Sequence, residues 1–105
     1  MDEITLPEQC STMAEVRRGV DATDRELMQL LARRFGYMRA AARIKDDRAM
    51  VRDEVRKAEV IANARADAER LGVPVGAVAV LWEDLVESSI AYELEEWDCN
   101  AHERG

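Results

Sequence analysis

The apolar positions of this chain recur three and four residues apart over most of its length, the spacing of helices that bury one face. Met13, Val16, Val20, Leu27, Leu30, Leu31, Met38 and Ala41 form one stripe, and Trp82, Leu85, Val86, Ile90, Leu94 and Trp97 form another. A thinner stripe of Val55, Ala58, Ile61, Ala62 and Ala66 lies between them, its alanines suited to close helix contact. The β-branched and aromatic runs that mark strands are missing. The pattern predicts an all-α chain of three helices, the first of them long.

Punctuating residues set the bounds. Residues 1–10 read as an irregular arm with Pro7 as a breaker. Ser11 and Thr12 are candidate N-caps, and Glu15 stands three beyond Thr12, as in a capping box. A helix then runs to about Lys45, and Asp46, Asp47 and Arg48 read as a loop. Asp53 is a candidate N-cap for a second helix that ends at Leu71, with Gly72 just past its end. Pro74 opens a third helix in its first turn, where proline is tolerated. That helix is expected to reach about Trp97, leaving residues 98–105 as a polar, frayed tail. The first helix would measure roughly 50 Å. A compact monomer of this length has a radius of gyration near ~13 Å. A helix so long needs a partner along its far half, and a homodimer supplies one.

Bulk properties narrow the class. The 105 residues suffice for one domain, 1–105, and 48% apolar content supports a core. The net charge of −7 argues against a nucleic-acid binder. No apolar run approaches the ~20 residues of a membrane span. No signal peptide is read at the N-terminus, so a cytoplasmic location is expected, with Cys10 and Cys99 as free thiols. Neither cysteine, nor His102, falls in a zinc-ligand spacing, and no metal site is expected.

Four polar residues break the stripes. Arg34 and Lys45 fall within the first, Ser89 and Glu93 within the last. A charge turned toward a core is costly unless paired, so the set suggests a buried site for a small anion. Arg34 and Lys45 are 11 residues apart; on a helix that is about 20° around the axis and about 16 Å along it. Arg17 lies 17 residues before Arg34, about 25 Å away and roughly 100° round. It can reach the same ligand only from a second copy paired antiparallel. Ser89 and Glu93 are an i, i+4 pair, and Arg56 lies in the first turn of the second helix. The loop after Lys45 is placed to close over a ligand as a lid. Plainer roles stand beside these. Lys45 would serve the C-terminal dipole, Arg34 would pair with Glu93, and Ser89 would bond to its preceding turn. Asp53 would only cap, Arg56 would be solvated, and both tryptophans would be core.

The set resembles the AroQ-type chorismate mutases, including the branch of isochorismate-pyruvate lyase. The residues that carry the resemblance are Arg17 in AEVRRGVDATD, Arg34 in LLARRFGYMRAAARIK, Lys45 closing that segment, Arg56 in VRDEVRK, and Ser89 with Glu93 in ESSIAYE. The LPEQC segment leans toward the lyase branch. The resemblance implies an intertwined all-α homodimer with two sites and a reaction without cofactor. By position, Arg34, Arg56 and the partner subunit's Arg17 would hold the substrate carboxylates, and Lys45 would donate to the ether oxygen. Glu93 would do the same from a position that is glutamine in many relatives. Ser89 and Asp53 would line the ring side. Lys57 departs from the pattern, because some mutases carry there a glutamate that binds the ring hydroxyl.

The activity implied is the pericyclic conversion of chorismate to prephenate, in aromatic amino-acid biosynthesis. It needs no nucleophile or metal, only electrostatic stabilisation of the breaking ether bond and a frozen reactive conformer. The alternatives are isochorismate-pyruvate lyase activity on the same residues, and a non-catalytic helical module for ligand binding or dimerisation.

Overall fold

The computed structural model describes residues 4–104. Among them there is no strand. The helices are α1 (Met13–Ile44), α2 (Glu54–Leu71) and α3 (Val75–Arg104), with short 3₁₀ turns at Pro7–Gln9 and Arg48–Met50. The all-α architecture with a long first helix is thus the one the periodicity predicts. The chain divides after Gly36 into two compact units, and α1 runs through the division.

The helix ends form where the side chains dictate. Thr12 Oγ1 accepts from the Glu15 N–H at 3.2 Å, and Glu15 Oε1 accepts from the Thr12 N–H at 3.0 Å, a reciprocal capping box. Glu15 also accepts from the Ser11 N–H and both hydroxyls, and from Thr5 in the arm. These donors, the Ser11 amide foremost, hold its carboxyl down to about 2. Asp53 caps α2 by accepting from the Arg56 N–H at 3.0 Å. At the other end Gly72 turns left-handed, with φ 72°, and the Val73 N–H bonds to Ala68 O at 2.8 Å. That is a Schellman ending, and it needs a residue without a Cβ. Pro74 stands just before α3 rather than inside its first turn, its carbonyl accepting from the Val78 N–H.

In the first unit, the arm from Ile4 folds back on the start of α1, so that Thr5 O lies 4.0 Å from where a Cβ on Gly19 would be. Together they line a half-open, largely apolar cavity of about 340 Å³ whose walls include Cys10 and Val16. Residues 1–3 of the expected arm lie outside the described residues. Much of the first stripe does not face a core within the chain: Met13, Val16, Val20, Leu27 and Leu30 are all exposed.

In the second unit, α2 and α3 pack along two small clusters. Val51, Val86 and Ile90 form one, with Val60, Ile61, Leu94 and Trp97 against it. Ala64, Ala68 and Val78 form the other, flanked by Val75 and Trp82. Two expectations are corrected here. The buried face of α2 is Val60, Ile61, Ala64 and Ala68, whereas Val55, Ala58, Ala62 and Ala66 are exposed. The real stripe starts at half-buried Lys57, whose charge hid it in the pattern. The segment after Trp97 is not a frayed tail but helix through Arg104, with Asn100 and Ala101 half-buried. It contains no helix breaker before Gly105, which lies outside the described residues, and Asp98 is tied to Arg48.

Candidate functional site

Lys45 follows the last residue of α1, and its N–H still bonds back to Ala41 O at 2.9 Å. Its ammonium meets Glu93 Oε2 at 2.7 Å. The Glu93 side chain is 6% exposed and that of Lys45 26%. A carboxyl so enclosed needs a partner, and Lys45 is that partner. One turn earlier on α3, buried Ser89 donates to Leu85 O at 2.6 Å, the back-bond of a helix-interior serine. One turn later, the Trp97 indole N–H donates to the Lys45 carbonyl at 3.0 Å. Glu93 and Trp97, one turn apart on the α3 face that also carries Ser89, therefore both meet Lys45 at the end of α1.

The segment after Lys45 is docked rather than hanging free as a lid. Arg48 grips Asp98 with two hydrogen bonds, at 2.8 and 3.3 Å, holding that carboxyl below its usual range. Val51 is buried between Val86 and Ile90. Arg52 reaches Glu87 at 2.8 Å and also meets Glu54. Lys57 joins both Glu83 and Glu87 at 2.7 Å. Arg52 first, and Lys57 with it, pulls the Glu87 carboxyl down to about 2. Lys57 is pushed up in turn by Glu83 and Glu87. On the same helix as Glu93, the Tyr92 hydroxyl accepts from Arg39 and donates to Glu96, both at 2.9 Å.

The sequence profile of chorismate mutase type II matches residues 16–94, the greater part of the chain. The chain belongs to the chorismate mutase type II family. Isochorismate pyruvate lyase of Pseudomonas aeruginosa is 30% identical to it over 91 residues, 87% of this chain and 90% of the relative. This type II chain is thus an enzyme of the AroQ class.

Within this chorismate mutase family member, the expected site residues divide by where they lie. Lys45, Glu93 and Ser89 come together in the second unit. Asp53 is engaged as the α2 cap. Arg56 is exposed and extends along its own helix to Glu59. In the first unit, Arg17 is exposed and Arg34 half-buried. Lys57 turns to Glu83 and Glu87, so its ammonium closes α2 onto α3. Sequence reading missed the donor role of Trp97, the Arg39–Tyr92–Glu96 chain and the Arg48–Asp98 clamp. The Trp97–Lys45, Arg39–Tyr92 and Arg48–Asp98 links each join residues about 50 positions apart, and helical spacing carries no signal for such pairs. No helix among the described residues is long and apolar enough to cross a membrane.

Proposed function

We propose that this chain is a chorismate mutase that converts chorismate to prephenate by a concerted rearrangement. The observation that carries the reading is the Lys45–Glu93 pair, an ammonium at the end of α1 that lies 2.7 Å from a carboxyl on the inner face of α3. As the ether C–O bond of chorismate lengthens, negative charge gathers on its oxygen. Fixed donors aimed at that oxygen lower the barrier because they need no reorganisation. An ammonium has three N–H donors, so Lys45 can face the ether oxygen without leaving Glu93. Glu93 adds a second donor when it carries a proton, since only a protonated carboxyl donates. Arg34, Arg56 and the partner subunit's Arg17 clamp the two carboxylates and hold the enolpyruvyl arm over the ring. Ser89 and Asp53 line the ring side.

The working unit in this proposal is a homodimer. Its support is the row of exposed apolar residues on α1, from Met13 to Leu30, in a helix too long for a compact chain of this size. The two free cysteines suit a reducing, cytoplasmic setting.

A second reading is isochorismate-pyruvate lyase, favoured by the name of the Pseudomonas relative. The same ether bond breaks, but pyruvate leaves instead of migrating. One experiment separates the readings. Purified protein is incubated with chorismate and with isochorismate, following prephenate from the first and pyruvate with salicylate from the second. Prephenate formation upholds the mutase, and turnover of isochorismate alone transfers the site to the lyase. Thermal stabilisation by either acid without turnover leaves a non-catalytic binding module.

A further inference from the structure

Lys45 is held at both ends by one face of α3. Its ammonium lies on Glu93 and its carbonyl accepts the indole N–H of Trp97 at 3.0 Å. The two α3 residues are four apart, about 6 Å along the axis. The last carbonyls of a helix have no partner within it. Trp97 supplies one from outside, at the residue where α1 gives way to the 46–47 bend. The ring cannot swing away freely, because it packs on the Val51, Val86 and Ile90 cluster. The direction of the indole N–H is therefore set by the core.

We propose that Trp97 is a positioning residue for Lys45, locking the backbone from which the ammonium is presented to the Glu93 side of the site. The inference rests on the reading of Lys45 as donor to the ether oxygen. A lysine side chain has four rotatable bonds and holds a fixed direction only when root and tip are both tied down. Glu93 ties the tip and Trp97 the root. Without the root contact, the Lys45 peptide can tilt between the anchors on either side of it, Arg39–Tyr92 and Arg48–Asp98, and the ammonium reaches the same oxygen from a wider spread of positions.

The test exploits a feature of the composition: Lys45 and Lys57 are the only lysines. Protein labelled with ¹⁵N-lysine gives two side-chain ammonium signals, and Lys57, held by Glu83 and Glu87, is the internal control. The variant is Trp97→Phe, which keeps an aromatic ring and removes the donor. If that variant does not fold, benzothienylalanine at position 97 keeps the bicyclic shape without the N–H. The expected result is faster solvent exchange of the Lys45 ammonium with the Lys57 signal unchanged. The turnover number falls roughly ten- to hundredfold, the scale of a small misplacement of a reacting group, while KM stays within about twofold. An unaltered Lys45 signal overturns the proposal, whatever happens to turnover. So does equal loosening of both lysines together with a lower melting temperature, which marks Trp97 as packing only. Failure of the wild-type protein to act on chorismate or isochorismate sinks the reading of the site instead, and the ammonium signals then decide the inference alone.

Discussion

Replacing Lys45 with methionine keeps the unbranched stem of the side chain and deletes the ammonium. Two consequences of different origin follow. Loss of one preorganised donor at a developing oxyanion costs about 3–4 kcal/mol of transition-state stabilisation, a fall in turnover number of about 10²–10³. Separately, Glu93 is left in a pocket where only 6% of its side chain meets solvent. A buried polar group stripped of its partner costs about 1–3 kcal/mol. Lys45 itself is 26% exposed, so water can enter beside it, and the lower half of that range applies. For a domain of about 100 residues this lowers the melting temperature by roughly 5–10 °C. The double variant Lys45→Met/Glu93→Leu removes both polar ends, and stability returns to within about 1 kcal/mol of wild type. Turnover does not return. The measurements are prephenate formation and thermal unfolding at one fixed protein concentration. A single variant with wild-type melting and near-normal turnover would show that the pair is neither buried enough nor close enough to the chemistry to matter. Recovery of turnover in the double variant would refute the assignment of Lys45 as a donor.

Other perturbations address other parts of the argument. If Arg17 acts across the dimer, mixing Arg17→Ala with Lys45→Ala chains, each inactive alone, regenerates one intact site per mixed dimer and about a quarter of wild-type activity; no recovery on subunit exchange refutes the trans contribution. Light scattering should give twice the 11.9 kDa chain mass. The Glu87 carboxyl is depressed from 4.5 to about 2 by Arg52 and Lys57, so its stabilisation is present above pH 4.5 and is lost as pH falls toward 2. Acid titration of Glu87→Gln should therefore show a shallower loss of stability across that window, and an identical curve rules the network out. Gly72→Ala forces a Cβ into the left-handed region at φ 72° and should destabilise by about 1 kcal/mol in denaturant melts; no change refutes the need for glycine there.

What could be read from the residues alone was whatever depends on near neighbours in the chain. Helical period, the Thr12–Glu15 box, the Asp53 cap and the Gly72 ending each involve residues within five positions, and local geometry alone dictates them. The inward polar positions Ser89 and Glu93 were legible because they break an apolar stripe. The partner of Glu93 was not: the pattern offered Arg34 for it, whereas the fold brings Lys45, at the end of α1, within 2.7 Å. Packing likewise decided which face of α2 is buried, because Lys57 is a charge in the pattern but a half-buried residue once Glu83 and Glu87 neutralise it. It also gives Asp98 a guanidinium fifty residues away, at the start of a segment that stays helical to Arg104. A charge reads as surface in one dimension, and only the fold determines which opposite charge lies close enough to let it inside.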